Sequence, residues 1–255
     1  MAEPLPYRDF QYPLNVFMHI LTLEEGDVRD LHYGLFERGD ESIAEAQERS
    51  TALLLTQLPP PPARILDAGA GLGTTLARLV QLGYRAEGVT PDEAQLNVLR
   101  ARHGDALPVH LSPFEDFRGG PYDAIVFQES SQYIDAAALF SRAAILSGRV
   151  VVLDEFAMRP EGELHRFEDF VAAAKEQRFT LQFQTDVSQQ AAPTTQYFLD
   201  RFARYRQVLI GDLGLSSQQV DDLIESGNRY RDFYRNGTYA YFLLRFERGD
   251  RISTA

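Results

Sequence analysis

The chain has 255 residues, 44% of them hydrophobic and 24% charged, with a formal charge of −12 and no cysteine. That is too apolar for a disordered chain, fits one large domain, and holds no uncharged apolar run long enough to span a bilayer. Without thiols there are no disulfides or cysteine metal centres, and the negative charge disfavours DNA or RNA as substrate.

The first ten residues, MAEPLPYRDF, lack the basic start and apolar stretch of a secretory signal, so a cytoplasmic address is expected. Residues 1–62 read as helical and connecting. The apolar run 13–23 is too short to span a membrane and carries Asn15 and His19. Residues 42–58 place Ile43, Leu53, Leu54 and Leu58 among charges, as an amphipathic helix does, and the prolines at 59–62 stop it.

From residue 64 the period changes. Strands are expected at 64–68, 85–90, 107–111, 122–128 and 150–154. Helices are expected at 74–82, 91–103, 135–146 and 163–178, with Gly83 and Gly104 after the first two. Strands alternating with helices predict a parallel sheet covered on both faces. The tail then breaks the alternation. A sixth strand at 180–185 is followed by two helices around residues 211–217 and a seventh strand at 238–245. A helical insert before the last strand is expected over the carboxyl edge of the sheet, where such sheets bind ligands.

The strongest local signal is Ile65-Leu66-Asp67-Ala68-Gly69-Ala70-Gly71-Leu72-Gly73-Thr74-Thr75, which leaves a strand and opens a helix. Glycines there let the backbone turn and approach a ligand. A dinucleotide site wants its third glycine one place later and an acid ending the second strand. Here Thr74 occupies the first of those places and Thr90 the second. An acid two residues before a G-x-G-x-G loop instead resembles motif I of class I S-adenosylmethionine (SAM) methyltransferases.

The resemblance implies an α/β Rossmann-like methyltransferase sheet of seven strands, six parallel and the last antiparallel. It implies a methyltransferase domain at 63–255 with a helical cap segment at 1–62 and a helical lid at 186–236. SAM would be the cofactor and S-adenosylhomocysteine its product. Asp67 would engage the cofactor's amino group, and Ala68, Gly69, Gly71, Gly73 and Thr74 would form the loop around it. Leu31-His32-Tyr33-Gly34 is similar to the H-Y-G element of the cyclopropane-synthase-like, tocopherol and sterol branches, which sends Tyr33 to the methionine end and leaves His32 over the active site. In Gly88-Val89-Thr90-Pro91-Asp92-Glu93-Ala94-Gln95 the usual ribose-binding acid is replaced by Thr90, with Pro91 and Gln95 nearby. Pro113 and Phe114 fall where the family meets adenine, although Phe114 also suits a core position.

Gln128 ends the fourth strand beside the cofactor. After it, Glu129-Ser130-x-x-Tyr133 resembles a stretch of isoprenoid-diphosphate C-methyltransferases. Methylating an alkene carbon creates positive charge, which a carboxylate and aromatic faces stabilise. Glu129 and Tyr133 are therefore the expected acceptor-side residues, with carbon as the receiving atom. Oxygen or nitrogen methylation with His32 or His165 as base is the alternative, since histidine is the usual base there. His103 reads as a surface residue and His110 as structural. Asp154 and Glu155 read as a second pair, ending strand five and pointing at the ligand edge, or as a solvated loop pair. In the insert, Tyr197, Phe198, Phe202, Tyr205, Tyr230, Phe233 and Tyr234 suit either a packing seam or an apolar acceptor pocket. Arg201, Arg204, Arg206, Arg229, Arg231 and Arg235 suit a solvated surface or a phosphate clamp. No metal site is expected: Asp221 and Asp222 are adjacent and do not share a helix face. The partner is a small-molecule acceptor, with no nucleic acid and no membrane span; a homodimer stays open. A SAM-binding protein without catalysis and a nicotinamide oxidoreductase are the rival classes.

Overall fold

A computed structural model of the chain describes Leu5, Tyr7, Arg8 and residues 10–249. The elements are α1 (Leu14–Glu25), α2 (Ile43–Leu55), β1 (Arg64–Ala68), α3 (Thr74–Gln81), β2 (Arg85–Thr90), α4 (Glu93–His103), β3 (Val109–Leu111), β4 (Ala124–Gln128), α5 (Ala136–Leu146) and β5 (Arg149–Ala157). They continue with α6 (Phe167–Glu176), β6 (Phe179–Asp186), α7 (Ser188–Ala191), α8 (Pro193–Arg204), α9 (Arg206–Leu213), α10 (Ser217–Asn236) and β7 (Tyr239–Arg248).

The strands form one sheet in the order β3-β2-β1-β4-β5-β7-β6. β7 is antiparallel to both neighbours, and the other pairs are parallel. Burial explains the order. β1, β4 and β5 are buried along nearly their whole length, which suits central strands covered on both faces. β6 alternates between more and less buried residues, and β3 is short and largely exposed, which suits edges. One face is covered by a cluster that includes Phe127, Phe140, Phe156, Phe170 and Phe246. The other is covered by Leu54, Leu76 and Leu79 against Ile65, Val126 and Leu243.

Helix starts follow local chemistry. Ser42 and Glu45 close a capping box on α2, and the Asp92 carboxylate accepts from the backbone of Ala94 and Gln95 at the start of α4.

Three expectations need correction. β5 runs to Ala157, beyond the expected end at 154, because β7 pairs with it from Arg149↔Glu247 to Ala157↔Tyr239. Asp154 and Glu155 are thus buried strand residues, not a solvated loop pair. The helix expected from 163 begins at Phe167, because Ala157 N–H first bonds the His165 carbonyl. The insert holds four helices rather than two, and Gly211 lies inside α9.

A third core joins parts that are distant in sequence. Phe10, Val16, Met18 and Ile20 from the N-terminal side pack with Phe198, Phe202, Leu209 and Val220 from the insert. Polar ties reinforce it. His19 Nε2 lies 3.1 Å from Asp212, and Glu24 accepts from Tyr205 and Arg201. Residues 1–4 and 250–255, at the ends of the expected partition, lie outside the described residues. Among the described residues no helix is long and apolar enough to cross a membrane.

Candidate active site

A cavity of about 1740 Å³ opens at the carboxyl ends of β1, β2 and β4 and beside β5, where the strand order reverses. Asp67 projects into it from β1 and is only 2% exposed. Its Oδ2 has no hydrogen-bond partner, and burial pushes its pKa up to about 7, against the opposing charge of His32. An orphaned buried carboxylate oxygen is costly unless a ligand donates to it. The site is therefore shaped for an N–H donor, such as an amine.

The loop beside it shows two distinct uses of glycine. Gly69 has φ +86°, and a Cβ there would meet Ser130 Cβ at 2.4 Å, so the loop presses directly on the end of β4. Gly71 has φ +53°, and its nearest neighbours to a Cβ are 3.8 Å away, so its backbone lies open to the cavity. Gln95 Oε1 is one of those neighbours. Thr74 lines the cavity and donates to the Arg29 carbonyl, tying the loop to the N-terminal segment. Ala68 is buried in the sheet, and Gly73 packs under Leu99, so neither belongs to the lining.

Thr90, Pro91 and Gln95 form the next wall. The Thr90 hydroxyl accepts from Asp92 N–H at 3.2 Å. Pro113 and Phe114 follow, and Phe114 is 3% exposed and edge-on to Phe127 at 5.0 Å. It is a core residue that also contributes to the wall. Gln128 lines the cavity, accepting from Thr75 Oγ1 at 2.9 Å and donating to Thr51 Oγ1 at 3.1 Å.

The opposite half is acidic and aromatic. Glu129 follows β4 with φ +52°, a left-handed conformation that is uncommon for a residue with a side chain. Its carboxylate accepts from Tyr33 N–H and from Tyr241 O–H at 2.5 Å. Burial pushes it up to about 7, with His32 and Tyr241 opposing and Asp154 adding to the rise. Glu155 lines the same space, accepts from Tyr234 O–H at 2.6 Å, and is pushed up to about 8 by burial and by Glu129. Asp154 is occupied elsewhere. It accepts from Ser131 N–H and O–H, Gln132 N–H and Glu155 N–H, and so fixes the turn after β4.

The tyrosine on Glu129 is Tyr241 of β7, not Tyr133. Tyr133 is 82% exposed at the cavity rim. His32 is buried with both ring nitrogens engaged: Nδ1 lies 3.0 Å from the Tyr33 carbonyl, and Nε2 lies 3.1 Å from Thr51 Oγ1 and 3.4 Å from Asp30. Burial works to lower its pKa, but the Asp30 hydrogen bond and the Asp30 and Glu129 charges raise it overall. His165 Nε2 lies against the carbonyls of Ser131 and Ile134 and supports the turn. Tyr33 is stacked on Tyr241 with ring centres 5.8 Å apart.

Sequence reasoning missed Tyr241 and the burial of Glu155. The period-two alternation of Tyr239, Tyr241 and Leu243 was visible, but it places Tyr241 at the site only once β7 is set beside β5, opposite Glu155. The six arginines of the insert form no clamp. Arg201 and Arg204 pair with Glu24, Arg206 with Asp221, Arg229 with Glu163, and Arg231 and Arg235 with Asp232.

No protein-family model and no curated protein matches the sequence. Solved structures match the fold. A protein from Galdieria sulphuraria named as a sarcosine dimethylglycine methyltransferase aligns at TM-score 0.78 and 16% identity, over 92% of this chain and 97% of its own. The cyclopropane synthase MmaA2 from Mycobacterium tuberculosis aligns at 0.76 and 18%, over 95% and 96%. Geranyl diphosphate C-methyltransferase from Streptomyces coelicolor A3(2) aligns at 0.69 and 18%, over 95% of each chain. The chain thus has the Rossmann-like methyltransferase fold, with β7 as its antiparallel strand.

Proposed function

We propose that the protein transfers the methyl group of S-adenosylmethionine to a small-molecule acceptor, with carbon as the receiving atom. The observation that carries the reading is the orphaned Asp67 oxygen beside the open backbone of Gly71. Together they suit a ligand with an amino group next to a part that needs close backbone approach. Three structures of this fold support the choice: a mycolic acid cyclopropane synthase was crystallised with S-adenosylhomocysteine, and geranyl diphosphate C-methyltransferase with S-adenosylhomocysteine and with sinefungin.

When bound, SAM supplies an electrophilic methyl group on a sulfonium. Asp67 would accept from its amino group, the loop from Gly69 to Thr74 would supply backbone contacts, and Thr90, Gln95, Pro113 and Phe114 would frame the nucleoside. In the transfer a carbon–carbon bond forms and the sulfur–methyl bond breaks, and the acceptor then loses a proton. Glu129 stabilises the positive charge that develops on the acceptor and takes that proton. Tyr33 and Tyr241 hold it in place. Carbon is favoured because both ring nitrogens of His32 are engaged by protein partners, and His165, whose Nε2 lies against two backbone carbonyls, is not among the residues lining the cavity.

Residues 63–255 act as the methyltransferase domain, 1–62 as its cap and 186–236 as its lid. The shared core of α1 with α8, α9 and α10 supports one cover made of two segments, which would exclude water from the transfer.

The test is release of S-adenosylhomocysteine from SAM by the purified protein with a panel of alkene, enol, hydroxyl and amine metabolites. Release above background with an alkene or enol acceptor is expected. SAM binding without release for any acceptor would leave a cofactor-binding protein without catalysis.

A further inference from the structure

We infer that Glu155 makes the acceptor half of the cavity a subsite for an organic cation, so that the acceptor carries an alkylammonium group apart from its receiving atom. The inference rests on the proposed assignment of that half of the cavity to the acceptor.

The first support is the charge around Glu155. It is only 4% exposed yet lines the cavity from near the carboxyl end of β5. The groups that act on it are Glu129, Asp154, Tyr234 and Tyr33, all acids or phenols. No basic side chain is among them. Glu129 and Asp67 each have His32 nearby. Glu155 has no such base among the groups that act on it. A buried carboxylate without a counter-ion is unfavourable, and a ligand that brings the missing charge is bound correspondingly better.

The second support is the wall. Tyr33 and Tyr230 line the cavity around Glu155, and Tyr234 donates to its carboxylate. Tyr33 is held flat against Tyr241 with 6° between the rings, and its centre is 6.4 Å from that of Tyr234. Tyrosines beside a carboxylate in a cavity wall, with Tyr234 presenting its hydroxyl to that carboxylate, supply both an anion and aromatic surface, the pairing that suits an alkylammonium ion.

The third support is what the site lacks. Among the described residues, Arg29 and His32 are the only basic side chains in the cavity lining. His32 is committed to Asp30 and Thr51, and the backbone of Arg29 is tied to Thr74 at the cofactor loop. The insert's arginines are paired with acids outside the lining. A phosphate or carboxylate on the acceptor would meet Glu129 and Glu155, with His32, already engaged by Asp30 and Thr51, as the nearby base.

The test uses the whole protein saturated with S-adenosylhomocysteine, whose own affinity is measured first and reports separately on the methyltransferase reading. Calorimetry then compares benzyltrimethylammonium, its uncharged isostere neopentylbenzene, and the anion phenylacetate. The cation is expected to bind at least tenfold more tightly than the isostere, and phenylacetate not to bind. Glu155→Gln should abolish the preference with S-adenosylhomocysteine affinity unchanged, and Glu129→Gln should keep it. If Glu155→Gln does not fold, the wild-type preference and its survival in Glu129→Gln decide. Equal binding of cation and isostere, no cation binding, a preference unaltered in Glu155→Gln, or one lost in Glu129→Gln would overturn the inference.

Discussion

The two halves of the cavity are built in different ways. The cofactor half comes from one continuous stretch: β1, its acid Asp67, the loop from Gly69 to Gly73, and the start of α3. Its geometry is set by backbone conformation, with φ positive at each of those glycines. The acceptor half is assembled from Tyr33 ahead of α2, Glu129 after β4, Glu155 in β5, Tyr234 in α10 and Tyr241 in β7. Sheet register and helix packing bring these together across more than 200 residues of sequence. On the proposed reading, local backbone would hold the cofactor, and side chains from scattered elements would hold the acceptor.

If the halves are functionally separate, substitutions should divide cleanly between turnover and cofactor affinity. The largest effect belongs to Glu129→Gln, which keeps the shape and removes the charge. Turnover should fall by roughly 10²–10⁴ if the carboxylate takes the proton, while calorimetric S-adenosylhomocysteine affinity stays within a few-fold. The wild-type pH profile sharpens the point. Burial lifts this carboxyl to about 7 in the free protein, so kcat/KM should rise as pH passes up through that region and the base ionises. That limb should be missing from the glutamine variant. A loss confined to cofactor affinity would move Glu129 into the cofactor half and break the division.

The smallest effect is on the other side. Thr90→Ala removes one hydroxyl from the cavity wall, along with its bond from Asp92 N–H. S-adenosylhomocysteine binding should weaken by about 0.5–1.5 kcal/mol, the worth of one neutral hydrogen bond. A hundredfold loss in the same titration would show that Thr90 carries the ribose contact alone.

The same division explains what was legible in the sequence. The glycine loop, the acid before it and the alternation of strands and helices through residue 154 are local patterns, and they yield the sheet and its binding edge. Glu129 was legible because it directly follows an apolar strand. Tyr241 was not, because nothing around residues 238–245 says that β7 inserts between β5 and β6. The same pairing lengthens β5 and buries Asp154 and Glu155, which read as loop residues next to a hydrophobic run. The acceptor-side tyrosine was therefore sought at Tyr133, near in sequence, where the fold supplies one from a distant strand. How the two cover segments join was hidden for a related reason. α1 is apolar enough to need a partner, but only packing reveals that the partner is the insert.

The central claim is that the glycine loop holds S-adenosylmethionine, not a dinucleotide. Calorimetric titration of S-adenosylhomocysteine and of NAD into the wild-type protein and folded Gly71→Val tests it most directly. The account predicts micromolar S-adenosylhomocysteine binding by the wild type, no NAD binding, and loss of S-adenosylhomocysteine affinity when a side chain fills the open space at Gly71. Micromolar NAD binding without S-adenosylhomocysteine binding, or unchanged S-adenosylhomocysteine affinity in Gly71→Val, would contradict it.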